Sequence, residues 1–126
     1  KGRAMIVGSF PGSAYFHFRN PANAKFYAGL AEWLKITKPV EVKTAEPGAV
    51  VEARLLSGEG YKILFGFNRG DGVALARFGV LTKSGRVAAR EIEAGQAVPC
   101  AVQGGRAIVA KTLKPGEVWV VHILEK

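Results

Sequence analysis

The sequence predicts a mainly β protein, an antiparallel β-sandwich of about seven strands that follows a single strand–helix unit. Turn signals such as the Gly-Glu-Gly run at 58–60 recur about every 8–12 residues after residue 50, which is the spacing of strands in a sandwich or barrel. Apolar and polar side chains alternate between these turns, as at Val51, Ala53 and Leu55. The residues before position 39 have a different pattern, a continuous apolar run followed by a helical repeat.

The strand–helix unit is predicted over residues 1–38. Residues 4–7 are all apolar, which predicts a strand over about 3–8 that is buried on both faces. Asn20 and Pro21 predict the start of a helix over about 21–36, because Asn caps a helix and Pro lacks the N–H that the first helical residue leaves unbonded. Apolar residues then recur at helical spacing, namely Phe26, Leu30, Ala31, Trp33 and Leu34. Since one strand and one helix do not complete a domain, we expect residues 1–38 to be the end of a larger α/β domain.

Residues 39–49 are predicted to be a linker with a short extended piece at 40–42, since they contain Pro39, Pro47 and Gly48. Residues 50–126 are predicted to form the sandwich. Its strands are expected over 51–55, 61–67, 73–82, 86–93, 97–102, 106–113 and 117–124. Pro99 places the segment 97–102 at a sheet edge, because proline donates no ladder hydrogen bond.

The predicted core combines one face of two strands. Large apolar residues alternate along each of them, and we expect these six to be buried together: Ile63, Phe65, Phe67, Trp119, Val121 and Ile123.

Composition and charge limit the kinds of partner that are expected. Hydrophobic residues make up 48% of the 126 residues, and the net charge is +8. The basic residues are dispersed, which disfavours nucleic-acid binding, and no apolar run approaches the roughly 18 residues of a membrane span. The single Cys100 excludes an internal disulfide and a cysteine-based zinc site, and its valine neighbours predict a buried thiol. A single cysteine leaves the compartment open.

No catalytic, cofactor-binding or metal-ligating residue is predicted, and no cofactor is implied. The loop at 8–13 lacks the lysine of a phosphate-binding motif. Glu91 and Glu93 would share one face of a strand at about 6.6 Å, but their context predicts solvated side chains. His17 and His122 are far apart in sequence and have no neighbouring ligands at metal spacing.

Three aromatic residues precede the predicted helix, in a segment expected to be a loop. Tyr15, Phe16 and Phe18 are predicted to contact another part of the protein or a neighbouring subunit, because clustered exposed aromatics mark interaction sites.

Two parts of the chain resemble one enzyme family. Residues 2–12, the Asn20-Pro21 pair and the helix to Trp33 resemble the end of the middle domain of glycoside hydrolase family 42 β-galactosidases. Residues 51–54, 65–68 and 115–121 resemble the small antiparallel β domain that closes such enzymes. The resemblance implies that the first part comes from a flavodoxin-like domain that lacks the catalytic acids and helps to form trimers. In this family the catalytic glutamates belong to a TIM barrel, so no catalytic residue carries over to this sequence.

We therefore expect a non-catalytic C-terminal region of a bacterial β-galactosidase-like enzyme, with the bacterial cytoplasm as the favoured compartment. Its expected partners are the remainder of the parent chain and further copies in a trimer. The first alternative is a carbohydrate-binding β-sandwich, which exposed aromatics in a shallow row would favour. The second is a basic nucleic-acid-binding domain, which a steep salt dependence of binding would favour.

Overall fold

The computed structural model describes Met5, His17 and residues 21–126. The chain divides into two compact units, residues 1–37 and residues 38–126. Within 21–126 it has one helix followed by nine strands in two antiparallel sheets, so the predicted mainly β sandwich is confirmed, with more strands than expected. The strand predicted over about 3–8 lies outside the described residues except for Met5, and the predicted contact residues Tyr15, Phe16 and Phe18 lie outside them as well.

Helix α1 spans Pro21–Trp33 and ends earlier than predicted. The helix stops because Lys35 adopts a left-handed backbone conformation, with φ of 55°. The N–H of Lys35 donates to the carbonyl of Glu32 (2.9 Å), and the N–H of Ile36 donates to the carbonyl of Ala31 (2.9 Å). These two bonds form a Schellman motif, which satisfies the last helical carbonyls without a glycine. No helix in the described part of the chain is long and apolar enough to cross a membrane.

The nine strands form two sheets in residues 38–126. The first sheet has the order β1-β4-β8-β7 and the second has the order β2-β3-β9-β5-β6, and all neighbouring strands are antiparallel. The strand bounds are β1 Val40–Thr44, β2 Val51–Gly58, β3 Tyr61–Asn68, β4 Ala74–Leu81, β5 Val87–Glu91, β6 Ala97–Val98, β7 Ala101–Gln103, β8 Arg106–Leu113 and β9 Val118–Glu125.

Two strand predictions need correction. Residues 40–44, which the sequence assigned to the linker 39–49, form β1 and pair along their whole length with β4. The segment 97–102 forms parts of two strands, because the chain passes from the second sheet to the first between β6 and β7. Pro99 and Cys100 lie in this crossing. Both short strands are edge strands, as the proline predicts.

The core lies between the two sheets, and its largest fully buried side chains include Trp119, Phe78 and Leu64. The rings of Phe78 on the first sheet and Trp119 on the second have centroids 5.9 Å apart. Phe78 also packs against Gly66, where a Cβ atom would lie 2.6 Å from the Phe78 Cζ. A large side chain from one sheet therefore requires a glycine on the other.

This packing overturns half of the predicted core. The three β9 residues of the prediction, Trp119, Val121 and Ile123, are buried as expected. Strand β3 instead turns Leu64, Gly66 and Asn68 inward, and only half-buries the three residues predicted for the core, namely Ile63, Phe65 and Phe67. The predicted alternation along β3 is correct, but the face assigned to the core is wrong, since Phe78 leaves no room for a large side chain at position 66.

Asn68 is a buried polar residue whose hydrogen bonds connect the end of β3 to its surroundings. Its Nδ2 donates to the carbonyls of Gly72 (2.8 Å) and Leu113 (3.0 Å). Its Oδ1 accepts the N–H of Gly70 (3.0 Å). A buried amide is tolerated when its groups are bonded in this way, so Asn68 holds the turn between β3 and β4 against the end of β8.

Candidate functional site

The carboxylates Glu91 and Glu93 do not share a strand face. Glu91 is the last residue of β5, and its Oε1 accepts a hydrogen bond from Lys111 Nζ at 2.9 Å. Glu93 is exposed in the turn that follows. The expectation of a same-face pair is wrong, because the strand ends between the two residues.

Glu91 belongs to an ion-pair cluster centred on Lys111. The Lys111 Nζ also lies 3.2 Å from Glu117 and 5.6 Å from the centroid of the Trp119 ring. The hydrogen bond to Glu91 is the main cause that raises the pKa of Lys111, and the backbone N–H of Lys114 is the main cause that lowers the pKa of Glu117. Both groups are therefore charged at neutral pH. A general acid needs the opposite shift, a carboxyl whose pKa is raised.

The other side chains that could bind a metal or act as a nucleophile are distributed over the sandwich. Among the residues that the structure describes, no three His, Cys, Asp or Glu side chains converge on a possible metal position. Burial raises the pKa of the Cys100 thiol, and the residue packs against the core. The thiol is therefore protonated at neutral pH and serves as a small apolar side chain.

The outer surface of the second sheet is apolar across its two central strands. We call it the aromatic face, and it consists of Tyr61, Ile63, Phe65 and Phe67 of β3 with Val118, Val120, His122 and Leu124 of β9. These residues pair directly across the two strands, for example Phe65 with Val120 and Ile63 with His122. The Tyr61 ring also contacts the His122 ring edge to face, with centroids 5.6 Å apart.

Much of the aromatic face is in contact with solvent. Tyr61 is 40% exposed, Val118 is 47% exposed and Leu124 is 42% exposed. Leu56 of β2, which pairs with Ile63, extends the apolar surface and is 59% exposed. The outer face of an antiparallel sheet is ordinarily polar when it faces water, so this surface departs from the usual pattern.

Charged side chains border the aromatic face on the β2 side. The Arg69 guanidinium lies over the Phe67 ring, 5.2 Å from its centroid. Glu52 lies 4.0 Å from Arg69 and 3.5 Å from Arg54, and both arginine side chains are mostly exposed. A polar border around an apolar centre is the composition of protein interfaces.

The sequence contained a signal for this surface. Strand β3 carries Phe65 and Phe67 on its outer face, whereas Leu64 is the large apolar residue of its inner face. Apolar residues on the outer face are typical of sheets that are covered on that side as well. The sequence prediction used only one of the two faces and assigned it to the core.

Two solved structures contain a segment that is similar to this chain. A scan against models of protein families found no match, and a search of curated proteins found none either. A rhamnosidase from Novosphingobium sp. PP1Y is similar, with a TM-score of 0.62 and 13% identity over 79% of this chain and 10% of the rhamnosidase. A GH42 β-galactosidase, Gan42B, has a TM-score of 0.49 and 20% identity over 81% of this chain and 12% of its own.

The likeness to the rhamnosidase shows the fold, because the sequence identity is low and the structural agreement is good. The chain spans about a tenth of the length of each of these glycosidases. Its fold is thus one that occurs as a small segment within a much longer glycoside hydrolase.

Proposed function

We propose that this chain is a non-catalytic accessory region of a glycoside hydrolase, which packs against the rest of the parent protein through the aromatic face. More specifically, we propose the C-terminal region of a bacterial β-galactosidase of the family 42 type, in which a TIM barrel elsewhere in the parent performs retaining hydrolysis. The sequence resemblance supports the specific family, and the fold shared with part of a rhamnosidase supports a glycosidase parent.

The aromatic face is the observation that carries this proposal. Strands β3 and β9 are eight residues long each. Together the two strands present a surface of roughly 24 Å by 10 Å, or about 240 Å². A contiguous apolar patch of a few hundred Å² is among the largest that a typical monomer exposes, and such a patch is often functional. It is smaller than the roughly 800 Å² per partner of a stable complex between separate proteins, whereas a partner in the same chain benefits from a high effective concentration.

The catalytic part of the proposal is tested on the chain itself. Incubation with a chromogenic β-galactoside and a chromogenic α-rhamnoside should give only the buffer rate, since Glu91 and Glu117 are both bound in ion pairs with Lys111. Turnover that is lost in Glu91→Gln or Glu93→Gln would overturn the non-catalytic assignment.

The packing part is tested in the full-length parent enzyme. Phe65→Asp places a charge at the centre of the aromatic face and should lower the melting temperature of the whole enzyme. The control is Arg77→Asp on the outer face of the first sheet, where the residue is exposed. If both variants change the melting temperature equally, the aromatic face is not the packing surface.

A second candidate function, carbohydrate binding, is favoured by the row of Tyr61, Phe65 and Phe67 along one strand. Aromatic rings in a shallow row offer stacking platforms for sugars. The Arg69 guanidinium covers one face of the Phe67 ring, however, and the Tyr61 ring is engaged by His122. Retention of the chain on an insoluble galactan, abolished by Tyr61→Ala, would support this candidate over the packing role.

A further inference from the structure

We propose that the outer face of the first sheet, on the side of the sandwich opposite the aromatic face, binds a carboxylate-bearing sugar. A depression of about 400 Å³ lies there, and we call it the arginine depression. Its lining comes from β1, β4, β7, β8 and the turn after β7, and consists of Glu41, Lys43, Arg77, Gly79, Gln103, Gly104, Arg106 and Ile108. The volume falls within the roughly 300–1,000 Å³ of small-ligand sites.

Gly79 lies at the bottom of the depression, where neighbouring side chains pack closely over it. It lies on central strand β4, and a Cβ atom there would lie 3.3 Å from Arg106 Cδ and 3.4 Å from Ile108 Cδ1. The side chains of Arg106 and Ile108, both of β8, therefore lie over a position that has no side chain of its own. Glycine inside a strand is often found where another molecule or chain approaches closely.

Arg106 forms one side of the depression, and its side chain is held in place by its neighbours. Its side chain is only 15% exposed, and it lies 2.9 Å from the carboxylate of Glu41. One Nη donates to the carbonyl of Gly79 (3.1 Å), and the other donates to the carbonyl of Lys38 (3.0 Å). The charge of Arg106 is thus matched by Glu41 within the protein, and its role is to shape the site.

Arg77 and Lys43 supply the charge that a ligand would neutralise. They occupy directly paired positions on β4 and β1 and line the same exposed face, with the Arg77 guanidinium extending over β8 toward β7. An anion bound in the depression would be attracted by both positive charges.

The arrangement of Arg77 favours a carboxylate. Its Nη2 donates to Gln103 Oε1 at 2.6 Å, which orients the guanidinium across the depression. A guanidinium has five N–H donors in a planar fork, and a carboxylate matches that fork with two parallel hydrogen bonds. The remaining amide group of Gln103 and the carboxylate of Glu41 suit the hydroxyl groups of a sugar, and Ile108 offers an apolar surface to its C–H groups. That the ligand is a sugar rests on the proposed glycosidase parent. That the ligand is an anion rests on Lys43 and Arg77 alone.

The test is a titration of the chain with trigalacturonate, followed by NMR of the backbone amides and the arginine Nε–H groups. We expect saturable shifts at β1, β4 and β7, and no shifts there with the neutral trisaccharide of galactose. Raising the salt concentration should weaken the binding, because the contact is between exposed charges.

Substitutions of the lining residues show where the ligand binds. Arg77→Gln should weaken the affinity by about tenfold, since charge-assisted bidentate hydrogen bonds are lost. Lys43→Gln should weaken it by about threefold, because a lysine interacts as a point charge. Arg54→Gln is the matched control, because it removes the same charge from an exposed arginine on the other sheet and should leave the affinity unchanged.

The outcomes separate this proposal from the function proposed above. Equal binding of inorganic phosphate and trigalacturonate would overturn the sugar assignment and leave an anion site. Tighter binding of a single-stranded oligonucleotide at the same residues would replace the sugar with nucleic acid. Binding that survives Arg77→Gln would overturn the site altogether. None of these results bears on whether the aromatic face packs against the parent enzyme.

Discussion

The two outer faces of the sandwich have opposite chemistry, although the same strand alternation produces both. The first sheet directs Lys43, Arg77 and Arg106 outward around Gly79, while the second directs Phe65, Phe67 and Val120 outward. Both sheets direct apolar side chains inward to one shared core. A polar outer face is the ordinary condition of an antiparallel sheet in water, and so the apolar one marks where a covering partner is to be expected.

The largest effect is expected from the core that both faces share. Trp119→Ala should lower the free energy of unfolding by about 3–5 kcal/mol, the range for removal of a large buried aromatic side chain. Phe65→Ala on the aromatic face should lower it by only about 1–2 kcal/mol, because that residue is half-buried. Urea unfolding measures both values. Equal losses would mean that Phe65 contributes to the core and that the two faces are not distinct.

Two glycine substitutions compare the inner and outer surfaces directly. Gly66→Ala should destabilise the fold by about 1–3 kcal/mol, because the new Cβ would lie 2.6 Å from the Phe78 ring inside the core. Gly79→Ala should cost less than about 1 kcal/mol, since its nearest neighbour is the aliphatic part of the Arg106 side chain at 3.3 Å. Thermal unfolding distinguishes them. A larger loss at Gly79 would contradict the assignment of that position to an outer face.

Acid should weaken the contact between the sheets at the end of β9. Glu125 pairs with Lys62 of β3 and accepts a hydrogen bond from Thr82, which follows β4, at 2.7 Å. The hydrogen bond from Lys62 is the main cause that lowers the pKa of Glu125 below its ordinary value of 4.5. The stabilisation is therefore complete above pH 4.5 and is lost as the pH falls through the lower pKa of the folded state.

Glu125→Gln tests that dependence. It should cost about 1 kcal/mol at pH 7, as expected for a charged hydrogen bond near the surface, and should flatten the fall in stability between pH 5 and pH 2. Glu59→Gln, an exposed residue in the turn between β2 and β3, is the control. A pH profile that is the same in wild type and Glu125→Gln would contradict the assigned role.

A small effect on stability and a larger one on dye binding are expected from Val120→Ser on the aromatic face. Val120→Ser should reduce the fluorescence of a bound hydrophobic dye such as ANS while the melting temperature changes by only a few degrees, as for a loss of about 1 kcal/mol. Arg77→Gln should leave the dye signal unchanged because the arginine depression is polar. A dye signal that responds to Arg77→Gln and not to Val120→Ser would reverse the assignment of the two faces.

Sequence patterning was sufficient for the strands with strong local signals. Strand β8 coincides with its predicted range, and β9 begins and ends within one residue of its own, because turn residues bound long apolar alternations there. Strand β1 was missed as a sandwich strand because it is short and lies between prolines, and its pairing with β4 is not a local property.

What the sequence by itself determined is the class of fold, the alternation within each strand and the excess of positive charge. Only the tertiary structure decided which face of β3 is internal, since that depends on Phe78, a residue of the opposite sheet that occupies the space over Gly66. It likewise decided that Lys43, Arg77, Gln103 and Arg106 line one depression, because these residues lie on four strands and come together only through strand pairing. The periodicity of apolar residues shows which residues of one strand share a face. A surface assembled from several strands depends on strand register and sheet order, and these are fixed only when the whole core packs.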